Sequence, residues 1–146
     1  MGRDDVVTRI GVTDSLEGPA LEKILIVLAE DDQQIASLVR FKLEKDGYAV
    51  HVAENGRDAL DLIRQTIPDI IILDVMMPVM DGFDVLREIK SSEATASIPA
   101  IMLTAREMED DVLKWFELCA VDYMTKPFSP SELSARVRVN LNGKLR

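Results

Sequence analysis

Ile70-Ile71-Ile72-Leu73 constrains this chain more than any other stretch. Four consecutive aliphatic residues leave no polar alternation, so the strand they predict is buried on both faces. Such a strand belongs inside a parallel sheet covered by helices. The run stops at Asp74, and a turn-forming segment continues through Pro78 and Gly82. A carboxylate at the carboxyl end of a buried strand lies where open α/β sheets place their chemistry. Taken alone, Asp74 is equally well read as a strand ending in a polar residue.

The pattern recurs along the chain. Ile24 to Ala29 is a second doubly buried strand, ending in Glu30-Asp31-Asp32. Ile35, Leu38, Val39 and Leu43 come next at helical spacing and stop at Asp46-Gly47. Tyr48 to Ala53 predicts a short strand in which His51 alternates with Val50 and Val52, as an edge-strand surface residue would. Asn55-Gly56 turns into a helix with Ala59, Leu60 and Ile63, closed before Pro68. After the central strand come a helix with Phe83, Val85, Leu86 and Ile89, a strand from Ala100 to Leu103 ending at Thr104, and a helix over Glu107 to Leu118. A strand around Val121 to Met124 runs into Thr125-Lys126-Pro127, and a last helix from Ser131 carries Leu133, Val137 and Leu141. Five strands alternating with five helices imply a doubly wound α/β sheet, parallel, with right-handed crossovers and helices on both faces.

One domain with a single core suits 146 residues. The net charge of −9 argues against gripping nucleic acid or an anionic membrane and favours a cation or a basic partner. A lone cysteine, Cys119, excludes an internal disulfide, and one cysteine with one histidine cannot furnish a structural zinc site. No stretch reaches the ~20 apolar residues that span a bilayer, and the N-terminus lacks a signal-peptide layout. A soluble cytoplasmic protein is expected. Residues 1–22 mix charges with scattered Val and Ile before Gly18-Pro19 and read as a tail or linker, a leader or expression remnant being the plainer alternative.

Parallel strands point their carboxyl ends to one edge, so the polar residues at those ends compose the candidate site: Glu30, Asp31 and Asp32, then Asp74, Thr104 and Lys126. The second strand contributes only Glu54 and Asn55, which suits a place at the sheet edge. Crowded carboxylates repel one another unless a cation or proton intervenes. Oxygen ligands without His or Cys favour Mg2+. An aspartate beside a metal, a lysine and a hydroxyl is a suitable acceptor of a phosphoryl group. Singly, each residue has a plainer role: Asp32 or Thr104 as a helix cap, Lys126 as a surface lysine. Jointly, four of five strand ends carry complementary groups.

With these residues in place, residues 23–142 resemble a receiver domain of the two-component response-regulator family. The resemblance is carried by Lys23-Ile24-Leu25-Ile26-Val27 leading to Glu30-Asp31-Asp32, Leu73-Asp74-Val75-Met76-Met77-Pro78 with Asp81-Gly82, Leu103-Thr104-Ala105 and Lys126-Pro127-Phe128. It implies a flavodoxin-like sheet in order 2-1-3-4-5, with the site at the switch between strands 1 and 3. It implies Asp74 as phosphoacceptor, served by a sensor histidine kinase or a histidine phosphotransfer protein. Asp31, Glu30, Asp74 and the Met76 carbonyl would hold Mg2+, Lys126 would pair with phosphoryl oxygens, and Thr104 and Tyr123 would move as the switch. The Lys126–Pro127 bond would be cis. Ala105 leaves room for a donor, while Met76 and Arg106 sit where the family tunes aspartyl-phosphate lifetime.

The sequence departs from the family where Gly-Ala-Asp usually precedes the fifth strand: here it is Cys119-Ala120-Val121. A left-handed cap without glycine costs about 1 kcal/mol, so the turn here either differs or is strained. In the helix predicted over 107–118, Leu113, Phe116 and Ala120 make one apolar stripe and Val112, Trp115 and Cys119 a second. The second is either a wider buried stripe or a more apolar output surface, for a partner or a dimer. Asp122 and Arg136 could supply one of the charge pairs through which winged-helix members dimerise, but Val112 and Val121 replace others. Competing readings are a receiver-like adaptor that needs no phosphorylation and an aspartate-nucleophile phosphatase. The latter places a second aspartate where this chain has Met76. At most, self-phosphorylation and autodephosphorylation are expected as catalysis. Only residues 143–146 follow the last predicted helix, as expected either of a stand-alone receiver or of one excised from a longer protein.

Overall fold

In the computed structural model, residues 23–105 and 119–145 are described. Five strands, β1 (Leu25–Ala29), β2 (Ala49–Ala53), β3 (Ile70–Asp74), β4 (Ala100–Ala105) and β5 (Asp122–Lys126), alternate with helices α1 (Gln33–Lys45), α2 (Gly56–Thr66), α3 (Gly82–Lys90) and α4 (Pro130–Leu145). The helix expected over 107–118 lies outside the described residues, as do the 1–22 segment, Arg106, Val112, Leu113, Trp115 and Phe116. The sheet is wholly parallel in the order β2-β1-β3-β4-β5, as expected.

Alternation along each strand sends side chains to two cores, which explains why the central strands are apolar throughout. Val27, Ala29, Ile71, Leu73, Ala100 and Met102 face α2 and α3, meeting Leu60, Ile63, Leu86 and Ile89. Ile26, Leu28, Ile70, Ile72, Ile101 and Leu103 face α1 and α4, meeting Val39, Leu43, Leu133, Val137 and Leu141. His51 is exposed on the edge strand β2. Leu38 departs from the helical-spacing expectation: it is 60% exposed, and Ala36 takes its place in the core beside Val39 and Leu43.

Local chemistry fixes the helix ends. Asp32 caps α1, its carboxylate accepting from the amides of Gln34 and Ile35. Gly47 at φ 102 closes that helix: Gly47 N–H donates to Glu44 and Tyr48 N–H to Leu43, satisfying the last carbonyls. Tyr48 is therefore part of the helix stop, and β2 begins one residue later than its apolar pattern suggests. Asn55 caps α2, and Asp81 with Asp84 forms a capping box on α3. The α1 stop is also tied to α4, where the Ser134 hydroxyl donates to Asp46.

Cys119 sits at φ 69, so the turn keeps its left-handed conformation without glycine and is the strained alternative rather than a different turn. We expect Cys119→Gly to raise unfolding stability by about 1 kcal/mol, read as a higher midpoint in urea. An unchanged or lower midpoint would show that the turn is not strained.

Candidate functional site

The parallel register brings the ends of four strands to one edge. Asp74 is the last residue of β3 and is paired with Leu103; Thr104 comes next on β4, opposite Thr125, and Lys126 ends β5 opposite Ala105. Thr104 thus lies within β4 rather than beyond it, and its hydroxyl donates to the Ala105 carbonyl at 3.2 Å. Glu30 directly succeeds β1, where its amide extends the ladder by donating to Ala53 O at 3.0 Å.

Lys126 reaches over the sheet edge to the centre. Its Nζ lies 3.0 Å from Glu30 Oε1, 3.2 Å from Glu30 Oε2 and 3.3 Å from Asp74 Oδ2. Glu30 is completely buried, and its Oε2 also accepts from the Asp32 amide at 3.1 Å. Glu30 Oε1 takes no well-aligned hydrogen bond, so the ammonium beside it is its compensation. Asp74 is 4% exposed, and its Oδ1 accepts weakly from the Met76 amide at 3.3 Å.

These contacts set the protonation chemistry. Burial, then the Glu30 charge, push the Asp74 carboxyl up to about 7, with Lys126 opposing them only in part. Burial by itself would lower the Lys126 ammonium, but its hydrogen bond to Glu30 and the Asp74 and Glu30 charges prevail and raise it. Asp31 is exposed at the mouth, and oxygen atoms of Glu30, Asp31 and Asp74 all lie within 4.8 Å of one another. Three carboxylates converge, two of them on the Lys126 ammonium, and one buried oxygen lacks a well-aligned donor. That donor set fits a hard divalent cation.

The structure therefore brings Glu30, Asp31, Asp74 and Lys126 together, with Thr104 buried at the adjacent register position. The Met76 side chain is 62% exposed, leaving its backbone as the part that faces Asp74. Tyr123 is half-buried on β5, opposite Met102, and packs on the α2–α3 core. The Lys126–Pro127 bond is cis. The family model described as "Response regulator receiver domain" matches residues 26–138.

The chain belongs to the response regulator receiver domain family.

Solved receiver domains agree with it in sequence and fold. The Francisella response regulator 1452 receiver domain is 33% identical with a TM-score of 0.76, covering 84% of this chain and 98% of that one. The signal receiver domain of a signal transduction histidine kinase from Syntrophus aciditrophicus is 36% identical at TM-score 0.75, covering 82% and 90%. Chemotaxis protein CheY4 of Vibrio cholerae is 28% identical at TM-score 0.76, covering 81% and 98%. This receiver domain is thus part of the two-component signalling family. Among its described residues, no helix is long and apolar enough to cross a membrane.

Asp122 and Arg136, expected as candidates for a pair across a dimer, pair with each other within the chain, Nη1 to Oδ1 at 2.8 Å, with Asn140 donating to the other oxygen at 3.2 Å. Two features of the site are not visible in its motifs. Lys126 Nζ lies nearer to Glu30 than to Asp74, where the resemblance implies only a pairing with phosphoryl oxygens. The Met80 carbonyl of the loop after Asp74 lies against the bare Cα of Gly56, and Val79 in that loop has φ 75, although the Asn55-Gly56 pair signalled only a turn.

Proposed function

We propose that this receiver is a phosphoacceptor switch that takes a phosphoryl group onto Asp74 from the phosphohistidine of a sensor histidine kinase or a histidine phosphotransfer protein. The observation that carries the reading is the buried Asp74 carboxylate held 3.3 Å from Lys126 inside a cluster of acidic oxygens. An Asp74 oxygen attacks phosphorus, the bond to the imidazole nitrogen breaks, and the imidazole leaves with that electron pair. Glu30, Asp31, Asp74 and the Met76 carbonyl would hold Mg2+, which would supply charge neutralisation at the phosphoryl oxygens. Lys126 moves its ammonium from carboxylates to the new phosphoryl oxygens. The Thr104 hydroxyl turns from the Ala105 carbonyl toward the same group, and Tyr123 moves inward after it. The surface of residues 107–118, β5 and α4 then changes and carries the output. The Ala105 methyl is small enough to let the donor approach. Residues 23–142 form the receiver and 1–22 a tail or linker; the receiver works in the cytoplasm and does not itself contact nucleic acid, in keeping with the −9 charge.

Incubation with Mg2+ and a small acyl phosphate, then intact-mass measurement, tests the reading. Wild type should gain one phosphoryl group, and neither Asp74→Asn nor a chelator-treated sample should. Steady phosphate release from diverse monoesters would instead make the protein a phosphatase. An absence of any Mg2+-dependent gain would make it an adaptor.

A further inference from the structure

Gly56 opens α2 immediately after its Asn55 cap and is buried. A methyl group on its Cα would lie 2.0 Å from the Met80 carbonyl oxygen and 2.7 Å from the carbonyl carbon. Those are main-chain atoms, so no change of rotamer relieves the overlap. From the other side, Met80 N–H donates to Pro78 O at 2.8 Å across Val79, whose φ is 75. This is a γ-turn of the left-handed, strained kind, with a β-branched residue at its centre. Such a conformation persists only where its surroundings over-determine it. Here the loop is also fixed at its ends: Val75 N–H donates to Leu103 O and Gly82 N–H to Val75 O, each at 2.9 Å.

We propose that Gly56 is a positioning residue for the loop over 75–81. Its bare Cα lets the Met80 carbonyl seat against the start of α2, which fixes the loop with the Met76 backbone against Asp74. The inference rests on Asp74 as phosphoacceptor and on the Met76 carbonyl as a Mg2+ ligand. Gly56 itself touches neither phosphoryl group nor metal; it acts through Met80.

The test measures Mg2+ affinity calorimetrically, together with amide hydrogen exchange at Met76, in the full chain. Gly56→Ala should bind Mg2+ about tenfold more weakly and exchange the Met76 amide faster. Its phosphorylation rate at saturating Mg2+ should stay within about threefold of wild type, a split that general loss of structure would not produce. Val79→Gly, which softens the γ-turn, should bind nearly as well as wild type. The double variant should fall between the two and serves as the readout if Gly56→Ala alone does not fold. A folded Gly56→Ala, or a double variant compared with Val79→Gly, showing unchanged affinity and unchanged Met76 exchange would overturn the proposal. If wild type neither binds Mg2+ nor gains a phosphoryl group, the phosphoacceptor reading falls and takes the proposal with it.

Discussion

Asp74→Asn should make the folded protein more stable at pH 8 while removing its capacity to accept a phosphoryl group. The Asp74 carboxyl stands at about 7 when folded, against a usual 3.8. Between those values the folded state holds a proton that the unfolded state has lost, so stability falls as pH rises through the window. The stability is fully present below the unfolded value and is lost once pH passes the folded one. A shift of this size corresponds to about 4 kcal/mol at most, and solvent at the Asp31 mouth brings the expected effect to about 2 kcal/mol. Asparagine keeps the shape without the charge. Urea unfolding at pH 5 and pH 8 should show wild type weakening relative to Asp74→Asn, with millimolar Mg2+ closing the gap at pH 8. Parallel pH profiles for the two proteins would remove the electrostatic account of the site.

Lys126→Met should cost more. Lys126 is the cation facing buried Glu30 and Asp74, and removing one partner from a buried charge cluster leaves the others uncompensated. A loss of about 3 kcal/mol is expected at pH 8. Without the lysine, the one influence that lowers the Asp74 carboxyl is gone, so its folded value climbs further above the unfolded one. The penalty should therefore shrink as pH falls and Asp74 takes up its proton, and shrink again when Mg2+ is added at pH 8. A loss under about 1 kcal/mol, flat in pH, would mark Lys126 as an ordinary surface lysine. The Asp122–Arg136 pair offers the contrast: it is partly exposed, and Arg136→Ala should cost less than about 1 kcal/mol.

The parts of this structure that were legible in the sequence are those fixed by short-range rules. Ile70 to Leu73 could only be doubly buried, and once the sheet was parallel, Asp74, Thr104 and Lys126 had to share an edge. Asp32 as a helix cap and Gly47 as a helix stop are local backbone chemistry, readable from neighbours. Leu38 was misleading because helical spacing names a face but not its width; α1 buries Ala36, Val39 and Leu43, and Leu38 falls outside that arc. The Glu30 partnership with Lys126 joins residues 96 apart in sequence and depends on how far an ammonium reaches across two strands. The Gly56–Met80 contact is likewise a matter of distance between main chains, which no residue pattern records.

The strand order has a kinetic consequence. β1 comes first in the chain yet lies inside the sheet between β2 and β3, and the bond from the Leu25 amide to the Asp69 carboxylate at the β3 entrance joins residues 44 apart. Closing that distance has to precede the reward of pairing, so we expect the β1–β3 seam to close late and cooperatively in folding. Before it closes, Glu30 and Asp31 have no Asp74 beside them. The seam thus forms the scaffold and the acidic cluster in one event, and a partly folded chain that has only β1, α1 and β2 holds no half-built version of the site.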